Sequence, residues 1–303
     1  MSIARVGFVR VVLWGALAGA AFPAAAHDFW IEPSTFRPHE SQTVSVGLRV
    51  GDHFEGQRVP RTPDRIVTFV AVGPEGERSI PGRAGIDPAG FVRFTTPGTH
   101  VLGFRSNNAF TEMEPDRFKR HLQEKGLDAI LARLAGPAGL AGPTGLAAPD
   151  RTGRTGRTVR EAYSRCSKSL IRVGDAAGQG DAAAGQGGDR PLGFTLEIVS
   201  ESDPYDSAAG SELAFLVVHE GRPLEGALVT AARRGASGEP LAARTDADGR
   251  VSFRLGEAGT WLIACVHMTE APKGVDAAWE SLWASLTFEL PAAVAVAARD
   301  KGL

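Results

Sequence analysis

Only two cysteines, two tyrosines and three methionines occur among 303 residues. Two thiols are too few to staple a small disulfide scaffold, and neither stands in a CxxC or Cys/His spacing suited to zinc. An excess of one charge is also missing, since 33 Lys and Arg face 35 Asp and Glu for a formal net charge of −2. With no basic surplus to displace phosphate counterions, nucleic acid is excluded as a general partner. No GxGxxG, Walker loop, GxSxG or HExxH stands in a usable context, which removes the commonest nucleotide-dependent and hydrolytic enzymes. Beyond the N terminus no run approaches about 18 consecutive apolar residues, so no membrane span is expected there. What remains is 43% apolar, 7% aromatic and 22% charged residues, ordinary globular composition in a chain long enough for two domains.

The first 26 residues read as a secretory signal. Arg5 and Arg10 precede the apolar stretch at residues 11–22 (VVLWGALAGAAF), and Ala24-Ala25-Ala26 offers a small-x-small cleavage pattern. Twelve helical residues reach only about 18 Å, short of the ~30 Å hydrocarbon core, so cleavage is expected rather than anchoring. The mature chain is then periplasmic or secreted, and it begins at His27.

The body of the chain reads as β-structure. Val44, Val46, Leu48 and Val50 alternate with polar or small residues, and residues 65–72, 91–95 and 99–105 follow between Gly/Pro turns. Residues 115–135 change to helical spacing through Phe118, Leu122, Leu127, Ile130, Leu131 and Leu134, broken at Gly126. Residues 136–157 lose all period; glycines at 136, 139, 142 and 145 resemble collagen spacing over too short a run, so a linker is expected. Residues 158–170 regain structure, and 174–189 form a second Gly/Ala-rich insertion. Strands return at 194–198, 213–219, 228–232, 260–268 and 285–290. Residues 241–245 and 251–255, joined by Asp246-Ala247-Asp248-Gly249, read as a hairpin. These signals predict an all-β protein with two sandwich-like, Ig- or transthyretin-like domains and a short helical connection. The expected boundaries are 1–26 for the signal, 27–110 for the first sandwich, 111–190 for the helical segment with insertions, 191–290 for the second sandwich, and 291–303 for a tail.

Several stretches together carry a family resemblance. They are residues 27–33 (HDFWIEP), Gly51-Asp52-His53, Tyr163-Ser164-Arg165 with Lys168-Ser169-Leu170, residues 245–253 (TDADGRVSF), Val266-His267-Met268, and residues 279–290 (WESLWASLTFEL). The chain resembles the exported DUF4198 family, whose members are often labelled periplasmic components of cobalt/nickel uptake. The resemblance implies a metal ion as ligand and a membrane metal-uptake transporter as partner. Residues 221–229 leading into residues 245–249 also resemble the transthyretin-like or carboxypeptidase-regulatory type of sandwich, which usually binds or braces.

His27 is the sharpest candidate. At a mature N terminus it offers an α-amine and Nδ1 to one ion, and both are easily deprotonated near neutral pH. Nitrogen donors suit late divalent metals: nickel or cobalt by the resemblance, copper by ligand chemistry. His267 and His53 are candidates to complete the site, the first on a strand and the second in a loop. His267 reads somewhat better as a hydrogen-bonded core histidine, and His53 reads equally as a solvated loop residue. His100 has a weaker claim, and His39, His121 and His219 read as surface or packing residues. Asp28 and Glu32 can orient an imidazole. Asp246 and Asp248 lack the further oxygens of a calcium loop and read as a turn. Trp279, Trp283 and Glu280 form either a binding lip or the cover of a core edge. Cys166 and Cys265 are a possible bridge in an oxidising compartment, with two separate buried thiols as the alternative.

The leading function is therefore transition-metal binding in support of nickel/cobalt uptake, with no residue assigned a catalytic role. Two other readings stay open: a copper-dependent oxidative enzyme using the same histidine chelate, and a structural or adhesive β-module without metal.

Overall fold

The computed structural model describes residues 27–135, 158–174 and 188–292. The signal, most of both insertions and the tail lie outside the described residues, and so do the cleavage, linker and tail expectations placed on them.

Strands β1 (Asp28–Pro33), β2 (Thr43–Asp52), β3 (Glu55–Val59), β4 (Ile66–Gly73), β5 (Gly76–Ser79), β6 (Gly90–Arg93), β7 (Gly98–Ser106) and β8 (Ala109–Met113) come first. Helices α1 (Pro115–Glu124) and α2 (Asp128–Ala135) follow, then β9 (Val159–Val173). The remainder is β10 (Leu196–Ser200), β11 (Glu212–His219), β12 (Arg222–Pro223), β13 (Leu228–Arg233), β14 (Leu241–Arg244), β15 (Arg250–Arg254), β16 (Gly259–Glu270) and β17 (Trp279–Leu290). The all-β class is borne out, and the two helices fall in the segment whose spacing predicted them. Pro115 opens α1, and Gly126, at φ +63°, ends it and lets the chain turn into α2.

The strands form three layers. A nine-stranded sheet runs β14-β13-β16-β17-β9-β7-β4-β5, with β8 prolonging the edge that β7 forms on β9. A four-stranded sheet of β1, β2, β3 and β6 covers one face; a second, of β10, β11, β12 and β15, covers the other. Neighbouring residues of one strand reveal the two faces, because successive side chains point opposite ways. Thr287 donates to the Ile31 carbonyl at 2.9 Å, while the next residue, Phe288, stacks on Phe215 at 6.1 Å. Likewise Ser167 donates to the Phe29 carbonyl at 3.1 Å, while Lys168 points at Glu197. Helices α1 and α2 lie on the first face beside β1–β3, where Phe118, Leu122, Ile130 and Leu134 pack on Met113, Met268 and Trp279.

The segments read as separate sandwiches thus share one sheet. Its junction is β9, which lies in the segment read as helical connection and insertions; β9 pairs parallel with β17 and antiparallel with β7. The expected hairpin at residues 241–255 is also different: β14 pairs with β13 in the central sheet, whereas β15 pairs with β11 in an outer one. The Asp246 side chain still builds the turn, accepting from Asp248 N at 2.9 Å and Arg250 N at 2.8 Å. An Asp-Gly turn between alternating strands fits an arch between layers as well as a hairpin, and here the partner strands select the arch. Asp246 and Asp248 serve this turn. The cysteines are both free and buried. Cys265 and Cys166 both neighbour Ala284 of the intervening β17, which sets them about 9–10 Å apart, beyond disulfide reach.

Candidate functional site

A cleft of about 700 Å³ opens between α1, the β2–β3 hairpin and the floor made by β13 and β16. His27 stands at its mouth, directly before β1, and β1 is fixed by pairing Asp28 with Gly51 and Phe29 with Val50. Opposite is the tip of the β2–β3 hairpin, where His53 and Phe54 both take positive φ, 51° and 62°. Two such residues form a tight hairpin turn at a steric cost. Burial of Phe54 holds the tip in place: its ring lies 5.3 Å from Trp30, edge to face, with the Arg234 guanidinium 4.5 Å above it. Gly51 is required beside the turn, because a Cβ there would meet the Glu55 carbonyl oxygen at 1.9 Å. The hairpin so anchored brings Asp52 against His27, whose Nδ1 bonds Asp52 Oδ2.

Lys125, just past α1, adds a cation to this corner. Its Nζ is 3.3 Å from Asp28 Oδ1, 3.9 Å from Asp52 Oδ1 and 5.1 Å from the Trp283 ring centroid. His121, one turn earlier on α1, stacks on Trp283 at 5.8 Å. It lines the same cleft and is only 3% exposed, and neither ring nitrogen has a hydrogen-bond partner among the described residues. Burial lowers its pKa to about 4, helped by Lys125 and Arg117, so the ring is neutral at pH 7 with one nitrogen lone pair unengaged. A buried imidazole without a partner is costly. Beneath it, Trp283 Nε1 donates to Ser281 Oγ at 3.0 Å, and Ser281 in turn bonds Glu161. Burial raises the Glu161 carboxyl to about 7.

The other expected residues are distributed as follows. His53 sits on the rim, 60% exposed, with Nε2 3.8 Å from Glu239. His267 does not join His27. It shares its face of β16 with Ile263 and Cys265, and its cross-strand neighbour is Leu282. Ala264 and Val266, which line the cleft, point the other way. There His267 meets His219, ring centroids 4.6 Å apart, and burial lowers its pKa to about 4. His100 is a core histidine, bonded to the Thr96 carbonyl at 2.8 Å and packed on Phe94. Asp28 is engaged by Lys125, and Glu32 is paired with Arg49 and Arg234. Trp279 and Trp283 are buried within β17 rather than forming a lip.

Sequence reading passed over His121. Its signal was its place on the buried stripe of α1, one residue before Leu122 and three after Phe118. A histidine there reads as packing until the missing partners are seen. Among the described residues no three His, Cys, Asp or Glu side chains are grouped closely enough to hold a metal ion. Side chains alone therefore do not complete a cage. None of the described helices is long and apolar enough to cross a membrane.

The chain belongs to the DUF4198 family, described as a domain of unknown function, whose profile matches residues 24–269. No curated protein matches it. Among solved structures, the tetra-tandem repeat of the extending region of a large adhesion protein is similar at 11% identity and TM-score 0.22, over 88% of this chain and 50% of that one. The chain thus spans half the length of that structure. The D0-D1 domain of Intimin is similar at 11% identity and TM-score 0.19, over 86% of this chain and 97% of that one. The human OSCAR ligand-binding domain is similar at 10% identity and TM-score 0.20, over 87% and 98%.

Proposed function

We propose that this DUF4198 protein is exported, is cut before His27, and binds a divalent transition-metal ion at the mouth of the α1 cleft for delivery to a membrane uptake system. The observation that carries the reading is His121: a buried, neutral imidazole with no partner lines the cleft that His27, Asp52 and His53 border. Cleavage would add the donor that side chains lack, because it frees the His27 α-amine beside its own Nδ1. His27, His121 and Asp52 then offer nitrogen and oxygen atoms, a set suited to nickel, cobalt or copper. Nickel or cobalt is the choice that the family resemblance implies. Binding at His27 Nδ1 takes the place of its bond to Asp52.

The test is calorimetric titration of Ni²⁺, Co²⁺ and Cu²⁺ into protein shown by N-terminal sequencing to begin at His27. One alanine placed before His27 turns the amine into an amide, and His121→Ala removes the second ring. Each should weaken binding about 10- to 100-fold. His267→Ala, on the opposite face of the sheet, should leave affinity unchanged. Equal affinity in the alanine-extended and processed proteins would refute the site and favour a structural module.

A further inference from the structure

On the other face of the sheet Lys168 is 1% exposed, and the side chains facing it, Asp189 and Glu197, are 0% and 1% exposed. Lys168 Nζ lies 2.8 Å from Asp189 Oδ1 and 3.1 Å from Glu197 Oε1, and it donates to the Arg190 carbonyl at 2.9 Å. One cation against two carboxylates in a dry interior is an expensive way to hold strands together. The surroundings are also more directed than an ion pair needs. Asp189 Oδ1 accepts from Arg190 N at 2.7 Å and Oδ2 from Ser200 N at 2.9 Å, so both oxygens of one carboxyl face backbone donors. Glu197 is clamped separately by the amides of Leu192, Gly193 and Phe194 at 2.6, 3.1 and 3.2 Å.

We propose that Lys168 and Asp189 condense into an intramolecular amide, with Glu197 as the base, so that a covalent crosslink ties β9 to the segment entering β10. The arrangement supplies each requirement of the reaction. Burial raises the Asp189 carboxyl above its usual range, toward the neutral acid that condenses. Glu197 takes a proton from the Lys168 ammonium, and the freed lone pair attacks Asp189 Cγ. Charge then gathers on the carboxyl oxygens, where the Ser200 and Arg190 N–H groups already point, as donors do in an oxyanion hole. The Cγ–Nζ bond forms, one Cγ–O bond breaks, and that oxygen leaves as water with the protons shed by the amine. Ammonium and carboxylate become amide and water, with no redox partner. Two groups held at contact distance replace a bimolecular encounter by an intramolecular one, and exclusion of water opposes the reverse step.

Intact mass under denaturing conditions tests this on the whole exported chain, with its N terminus read independently. The expected mass is lower than the sequence requires by one water. In a tryptic digest the cut after Lys168 should be missing, and the peptide spanning 166–172 should be joined to the one spanning 173–233, since Arg190 and Arg222 each precede proline and are not cut. Lys168→Arg and Glu197→Gln should both restore the full mass. The idea is overturned if soluble, folded wild-type protein has its full mass. It is equally overturned if the water is lost while trypsin still cuts after Lys168, since a cyclised aspartate elsewhere would then account for the loss. Both readings come from the wild-type chain, so a variant that fails to fold does not obscure them.

Discussion

Lys168 and His121 lie on opposite sides of the same sheet, 1% and 3% exposed. Around Lys168 every polar atom of the two facing carboxylates has a donor, and the ammonium touches three acceptors. Around His121 there is an indole face, a neighbouring lysine and the cleft, but no hydrogen bond among the described residues. The difference separates two uses of buried polarity. A group whose partners are all internal holds or chemically joins the fold; a group whose partners are missing is left for something that arrives from outside.

The largest effect expected from breaking this contrast is at Lys168. Lys168→Met leaves two buried carboxylates without their cation and should cost about 3–5 kcal/mol in urea unfolding, or prevent folding altogether. His121→Leu should do the reverse at neutral pH, raising stability by about 1–2 kcal/mol while removing the second ring of the proposed metal site. Its pH signature is sharper still. The His121 pKa is about 4 in the folded protein against 6.5 ordinarily, so as pH falls below 6.5 the unfolded chain takes up the proton first. Stability should therefore drop by about 3 kcal/mol between pH 6.5 and 4, and the drop should shrink by that amount in His121→Leu.

Glu161 sharpens the comparison from the opposite sign. One oxygen bonds Ser281, the other has no partner among the described residues, and the folded carboxyl titrates near 7 against 4.5. Here stability falls as pH rises from 4.5 through 7, and the cost is complete above that. Glu161→Gln should stabilise by about 1–3 kcal/mol at pH 8 and change nothing at pH 4, measured by denaturant titration at both. The smallest expectation concerns the thiols. Burial raises both Cys166 and Cys265, and β17 lies between them. Two thiols should titrate in unfolded, unreduced protein, and a reductant should not shift the melting temperature.

Strands with a repeating apolar face were legible from sequence: β2, β4, β7 and β16 fall where alternation or apolar runs placed them. β9 was not recognised as a strand, because seven of its buried residues are polar or charged, from Glu161 to Arg172. Pattern reading takes polarity for exposure, and the partners that reverse this here come from distant segments. Arg172, for example, is paired with Asp203 and Asp206 at 2.8 and 2.9 Å. The site divides the same way. His27 stands out through its place after the expected signal, whereas His267 could be assigned to a strand face but not to the layer covering it. Only the sheet order reveals that this face looks away from His27.

That order also governs when the molecule can form. β17 ends at Leu290 and lies between β16 and β9, while β1, near the start, rests on both β9 and β17. The first strands therefore cannot complete their core until almost the whole sequence has been synthesised, because the β9–β17 pairing joins residues 161–169 to residues 279–287. Assembly of this kind is slow and leaves the edge of β9 that receives β17 exposed in the interim. A nascent chain without residues 279–290 lacks the one strand that joins β9 to β16, so the two parts of the central sheet have no hydrogen-bonded connection between them.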